Sequence, residues 1–386
     1  MLTWMQTAQE IVCIYVATFF DGVHIDDHLN GHLHDNLLVY SMNRLDDSLS
    51  GFYLIFEEEF NMKIIHKLIA PVVVVGILLL SLVSLHQMKS TKKKEVFRIG
   101  ISQFITHQSL DATRKGFVDE LAQLGYVEGD NIEIDLQNAQ GEQRNLKTIS
   151  QRLSESSDVI LAIATPSAQS LANTTKKTPV VFSAVTDPVG AKLVDSIEHP
   201  GGNVTGTSDQ SSDAIVTQID LIQKVMPKAK KIGLLYTQSE PNSVVQKDEA
   251  KRLLEEKGFV VVEKAVLDSN NVKAAADSLM SEVDMVFVPT DNIISATMDT
   301  VKQVSIKHHV PVFGGSTEMV AAGGLYNYGT DYEELGRQTA RMVVRILKGE
   351  KTDNMPVELP EKLELHTNKE MAATLGIDIS SLEAKE

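Results

Sequence analysis

AIATPSAQSLANTTKKTPVVFSAVTDPVG, Ala162 to Gly190, reads as a strand end, a polar turn, a helix and a second strand. The strands are near-continuous apolar runs, VILAIA before the turn and PVVFSAV after the helix. Such runs suit parallel strands buried on both faces. Parallel strands need helical crossovers, and SAQSLANTTK supplies one. Short polar residues, Thr165, Ser167, Thr186 and Asp187, follow each apolar run. In open α/β sheets these strand ends are where ligands collect.

Working outward, the same alternation fills the chain. VFRIGISQF (96–104), a helix ending at Gly125, NIEIDLQNA and a helix over 143–154 precede the quoted stretch. From Lys230 the order repeats: KKIGLLYT, a helix ended by Gly258, FVVVEKAVL, a helix over 271–280, DMVFVPTDN, a helix to Ile306, and HVPVFGGST as the last strand. Gly100 and Gly233 are 133 residues apart, as are Gly125 and Gly258, and Pro179 and Pro311 are 132 apart. The spacing predicts two similar α/β halves, linked by the Gly- and Ser-rich EHPGGNVTGTSDQSS. A final helix, DYEELGRQTARMVVRILKG, closes at Gly349.

The 386 residues carry a net charge of −16, which argues against nucleic acid as a partner. Residues 1–61 carry −9 of it, leaving −7 for the rest. The single cysteine, Cys13, permits no intramolecular disulfide and no cysteine metal site. HIDDHLNGHLHD holds His24, His28, His32 and His34, but close spacing in a loop does not make a metal site, and none is expected.

Leu68 to Leu85 is an eighteen-residue run without charge, flanked by Lys63 and Lys67 and by Lys89 and Lys92 to Lys94. At about 1.5 Å per residue it can cross a bilayer. Residues 64–86 are therefore expected to be an uncleaved signal-anchor, placing the remainder outside the cytoplasm at the membrane, or secreted if cleaved. Residues 1–61 sit badly before such a signal. The EEEFNM run before Lys63 suggests purine-rich upstream sequence, with Met62 as the natural start and 1–61 a non-native leader. Residues 62–95 would be anchor and basic linker.

Two facing halves make a cleft walled by 104–108, 165–168, 183–187, 237–243, 290–292 and 314–318. Candidate ligand residues on those walls are Phe104, Thr165, Ser167, Ala168, Thr186, Asp187, Ser239, Asn242, Ser243, Asp291, Asn292 and Ser316. Thr165-Pro166-Ser167 opens a helix whose first N–H groups can meet a carboxylate or phosphate, though plain capping is the alternative. Asp187 and Asp291 stand on opposite walls, and either can hold an ammonium or simply cap a turn. Donors for an anion with acceptors for a cation point to a zwitterion such as an amino acid. Phe104 can stack on an aromatic ligand or fill the core. No GxSxG or HExxH occurs, no GxGxxG follows a strand, and Cys is absent after residue 13, so catalysis and a cofactor are not expected.

GFVDELAQLGYVEGDNIEIDLQNAQG, IATPSAQSLA, PVVFSAVTDPVGAKLV, PGGNVTG and YNYGTDYEELGRQTARMVVRILKG together resemble the extracytoplasmic solute-binding proteins of ABC importers, in the tryptophan/tyrosine (TrpX-like) branch. The resemblance covers 96–377. It implies a type I periplasmic-binding fold: two Rossmann-like lobes joined by a three-strand hinge, here behind an N-terminal anchor helix. It places crossovers near Thr205, Val320 and Lys351, giving lobes of 96–205 with 320–352 and 206–319 with 353–386. It implies a monomer that captures an amino acid, tryptophan above others, and delivers it to a permease. By the same resemblance the ligand carboxylate meets Ser167, Ala168 and Thr186, the lobe of Asn242, Ser243, Asp291 and Asn292 closes over it, and Asp291, then Asp187, receives the ammonium. A sugar or nucleoside binder and a sensor ectodomain share the architecture and remain alternatives.

Overall fold

The computed structural model describes residues 75–76, 96–209 and 212–383. Two compact units divide the chain, 1–92 and 93–386. The second contains everything that follows.

Its first sheet is built from β1 (Phe97–Gln103), β2 (Ile132–Asn138), β3 (Val159–Ile163), β4 (Val180–Val185) and β5 (Val204–Ser208). The order is β2-β1-β3-β4-β5, with every pairing parallel. Helices α1 (Gln108–Gln123), α2 (Gln143–Ser156) and α3 (Thr165–Thr174) make the crossovers. Every residue of β3, β4 and β5 is buried, as two-sided burial requires.

After α4 (Ser212–Val225) a second sheet repeats the plan with β6 (Lys231–Thr237), β7 (Val260–Val266), β8 (Met285–Val288), β9 (Val312–Gly314), β10 (Tyr326–Gly329) and β11 (Glu364–Thr367). Its order is β11-β10-β9-β8-β6-β7, and only β11 is antiparallel. The intervening helices are α5 (Pro241–Glu256), α6 (Val272–Met280), α7 (Asn292–Ala296), α8 (Met298–His308) and α9 (Thr317–Ala321). α10 (Tyr332–Leu347), α11 (Lys369–Leu375) and α12 (Ser380–Glu383) complete the chain. The two-lobed parallel α/β architecture is thus as the repeat predicted.

Register aligns the strand ends. Gln103 pairs with Ile163, and Ile163 with Ser183, so the loops after β1, β3 and β4 leave one edge together. In the second sheet Leu234 pairs with Phe287 and Phe287 with Phe313, which gathers the loops after β6, β8 and β9.

Three details differ from the sequence reading. The linker after Pro200 contains a buried strand, β5, and the chain continues in the first sheet to Ser208. The crossover expected near Val320 lies beyond Gly329, because β10 pairs with β9 in the second sheet. The one expected near Lys351 lies beyond Glu358. There, Glu358 N donates to Gly206 O at 3.0 Å, Ser208 N donates to Glu358 O at 2.9 Å, and Thr205 Oγ1 donates to Met355 O at 2.7 Å. α10 belongs to the first lobe, with Leu335, Ala340, Met342 and Val343 in its core.

The membrane-anchored location expected above is corrected: among the described residues no helix is long and apolar enough to cross a membrane. The apolar run itself, apart from residues 75–76, lies outside the described residues, as do the leader 1–61, Met62 and the histidine cluster.

Candidate functional site

Two adjoining cavities open between the lobes and share Asp209, Thr290, Gly315, Ser316 and Tyr332. The larger encloses about 430 Å³ counting its mouth, and is also lined by Ala214, Ile215, Gln218, Phe287 and Asn327. The smaller reaches His107, Ser109, Ala184, Asn242 and Asn292.

The first lobe has strained backbone at Ala184, which lines the smaller cavity, and at Ala164, which, like Thr165 and Ser167, lines neither. Ala164, before α3, has φ 77°, and Ala184, at the end of β4, has φ 56°. Such left-handed alanines cost free energy and tend to mark functional sites. The turn at Ala164 aims the α3 N-terminus toward the second lobe, where α3 approaches α5. No side chain caps α3, and the Thr165 and Ser167 hydroxyls are buried without partners. The helix start is therefore an unfilled set of donors. Pro166 is accommodated in its first turn, where no N–H is needed.

The remaining expected residues divide. Asn242 lines the smaller cavity, donating Nδ2 to Thr290 O at 2.8 Å and leaving Oδ1 without a partner. Asn292 and Ser316 bridge the lobes: His107 Nε2 lies 3.2 Å from Asn292 Oδ1, and Ser109 Oγ lies 2.8 Å from Ser316 Oγ. Burial lowers the His107 pKa to about 4, so its ring is neutral and Nε2–H donates to the carbonyl. Thr186 is buried beside the cleft edge, and its carbonyl accepts from Ser208 Oγ. Ala168 is packed in the first core, as is Phe104, which offers no stacking face to either cavity. Ser239 is exposed. Asp187 caps its own turn, accepting from Gly190 N at 2.7 Å.

Asp291 is where geometry and expectation diverge most. Its carboxylate accepts from Thr237 N (2.6 Å), Thr237 Oγ1 (2.8 Å), Ser243 Oγ (2.6 Å) and Ile294 N (2.9 Å). Both oxygens are filled by the second lobe, and Ser243 spends its hydroxyl there. Glu240, likewise buried, accepts from Asn292 N, Asn292 Nδ2 and Ile293 N, with burial and the neighbouring Asp291 raising its pKa. Together these carboxylates hold the ends of β6, α5 and α7 in place.

Asp291 lines only the smaller cavity, whereas Asp209, which the sequence reading placed inside a supposed linker, lines both. Asp209 follows β5 directly and is 9% exposed. Tyr332 Oη donates to Oδ2 at 2.9 Å, while Oδ1 has no partner. Burial pushes its pKa up to about 6 against the hydrogen bond from Tyr332, and no cation among the described residues offsets that rise. Gln218, Asn327 and Tyr332 were missed with it.

Residues 98–384 match the family of ABC transporter substrate-binding proteins. The chain belongs to that family. A tyrosine-binding protein of Clostridioides difficile is 40% identical over 297 residues, 77% of this chain and 85% of that one. An ABC domain from Streptococcus pneumoniae, solved in complex with L-Trp, is 39% identical, with a TM-score of 0.72 over 75% of this chain and 98% of that one. The ligand-free, open structure of a substrate-binding protein with adhesive properties from Clostridium difficile is 41% identical, with a TM-score of 0.57 over 73% and 96%. As an ABC substrate-binding protein, this chain binds and delivers rather than transforms, and its functional counterpart is an importer permease.

Proposed function

We propose that this protein captures an aromatic amino acid, tryptophan or tyrosine, outside the cytoplasm and presents it to an ABC importer. The ammonium meets Asp209, the carboxylate meets the α3 start at Thr165 and Ser167, and the side chain enters the larger cavity. The moving bodies are 96–208 with 331–358, and 212–329 with 364–383. Each copy encloses its ligand with its own two lobes and acts as a monomer. One observation carries the reading: a buried carboxylate on a residue that lines both cavities, with one oxygen unpaired and no cation beside it among the described residues. Buried charge needs a partner, and an ammonium is one.

Ligand contacts in both lobes favour the closed state because they are complete only there. The test is a thermal-shift screen of amino acids, sugars and nucleosides against the full chain. A ligand at 100 times its Kd adds about 2.7 kcal/mol. A rise confined to L-tryptophan, L-tyrosine or both is expected. A rise with a sugar or nucleoside, and none with amino acids, would replace this reading.

A further inference from the structure

The far end of the larger cavity holds two carboxamides whose orientation is fixed. Gln218, on α4, donates Nε2 to Tyr328 O at 3.0 Å. Asn327, on β10, donates Nδ2 to Gly314 O at 3.3 Å. Each nitrogen is tied to a main-chain carbonyl, so flipping either amide would set oxygen against oxygen. The free ends are therefore acceptors, Gln218 Oε1 and Asn327 Oδ1, and neither has a hydrogen-bond partner among the described residues. The residues are 7% and 1% exposed, so bulk water does not serve them. Both line the cavity whose apolar wall is Ala214, Ile215 and Phe287.

We propose, resting on the amino-acid reading above, that Gln218 and Asn327 act as specificity determinants that require the ligand's ring to carry a hydrogen-bond donor. The apolar wall takes the ring's faces, and the two oxygens take an N–H or O–H at its edge. Indole and phenol satisfy both demands. A phenyl ring satisfies only the first and leaves buried acceptors unpaired. Sites built around such a bond reject the analogue lacking it far more strongly than a missing methylene is rejected.

The test is titration calorimetry on the full-length protein with two matched pairs. These are L-tyrosine against L-phenylalanine, and L-tryptophan against β-(3-benzothienyl)-L-alanine, in which sulfur replaces the indole N–H. For whichever of tyrosine and tryptophan binds, the donor-less partner is expected to bind about 10- to 100-fold more weakly. Gln218→Met and Asn327→Leu are expected to shrink that ratio to within about threefold, chiefly by weakening the donor-bearing ligand. The ligand series stands on the unaltered protein, so it decides the matter even if a variant fails to fold. Equal affinities within each pair overturn the donor requirement while leaving the amino-acid reading intact. Binding by none of the four overturns both.

Discussion

Asp209 and Asp291 are both buried at strand ends, yet one is saturated and the other is not. The four donors on Asp291 come from Thr237, Ser243 and Ile294, all in its own lobe. Asp291→Ala leaves those donors without an acceptor, and hydrogen bonds to a charged group contribute about 1.5–3 kcal/mol each. We expect a loss of about 3 kcal/mol or more in urea denaturation of the ligand-free protein. Asp209→Asn removes a poorly compensated charge. Its ligand-free stability should stay within about 1 kcal/mol of the parent while amino-acid affinity falls by about 2–5 kcal/mol. Reversed effects in the two variants would exchange their roles. The pH dependence has a definite sign. With the Asp209 pKa raised to about 6, the folded protein holds a proton there that the unfolded chain has released. Stability from this group is thus present below about pH 4 and lost as pH rises through 6. An ammonium prefers the ionised form, so affinity should increase about tenfold between pH 5 and pH 7.5, and Asp209→Asn should flatten that slope. The sequence reading put an ammonium-binding acid at Asp291 or Asp187, whereas the proposal above puts it at Asp209. A residue letter shows that a carboxylate follows a strand, not how many donors already surround it.

Elements with their own periodicity were legible. β1, β3, β4, β6 and β8 are long or strongly apolar, and the helices between them end at Gly125 and Gly258, both at positive φ. β5 (VTGTS), β10 (YNYG) and β11 (ELHT) are short and polar, and only their neighbours make them strands. Missing β10 shifted a crossover, and missing β5 concealed Asp209. The docking of α10 on α1 was also unreadable, because it depends on backbone approach. A Cβ on Gly116 would sit 1.9 Å from Glu333 O, and one on Gly336 would sit 2.0 Å from Thr113 O. Neither obstacle is a side chain that can swing aside. Gly336→Ala must therefore push the helices apart, at a cost of about 1–3 kcal/mol, read as a lower urea midpoint. The displacement would also move Tyr332, at the start of α10, away from Asp209. Affinity for the amino acid should drop along with stability. An unchanged midpoint would mean that the two helices do not meet this closely in solution.

Across the whole molecule, the lobes touch directly through polar contacts and through Ile105, which packs against cores of both. The Ser109–Ser316 and His107–Asn292 bonds join lining residues of the smaller cavity that belong to different lobes, so they form only when the lobes are close together. On the proposed reading, a ligand held between Asp209 and the walls of Gln218 and Asn327 touches both lobes and enters while they are apart. Binding then requires an open population, and retention requires a closed one. Ser109 and Ser316, with hydroxyls 2.8 Å apart, offer a place to separate these requirements. The variant Ser109→Cys with Ser316→Cys, made with Cys13→Ser so that no other thiol competes, should cross-link the lobes on oxidation. Oxidised without ligand, it should lose association with the amino acid, and a reductant should restore it. Oxidised after loading, it should hold the ligand, with a dissociation rate at least about tenfold slower than in the reduced form. If the cross-link forms, as read by mass, and both rates match the reduced protein, then the lobes do not gate the site and capture by closure is wrong.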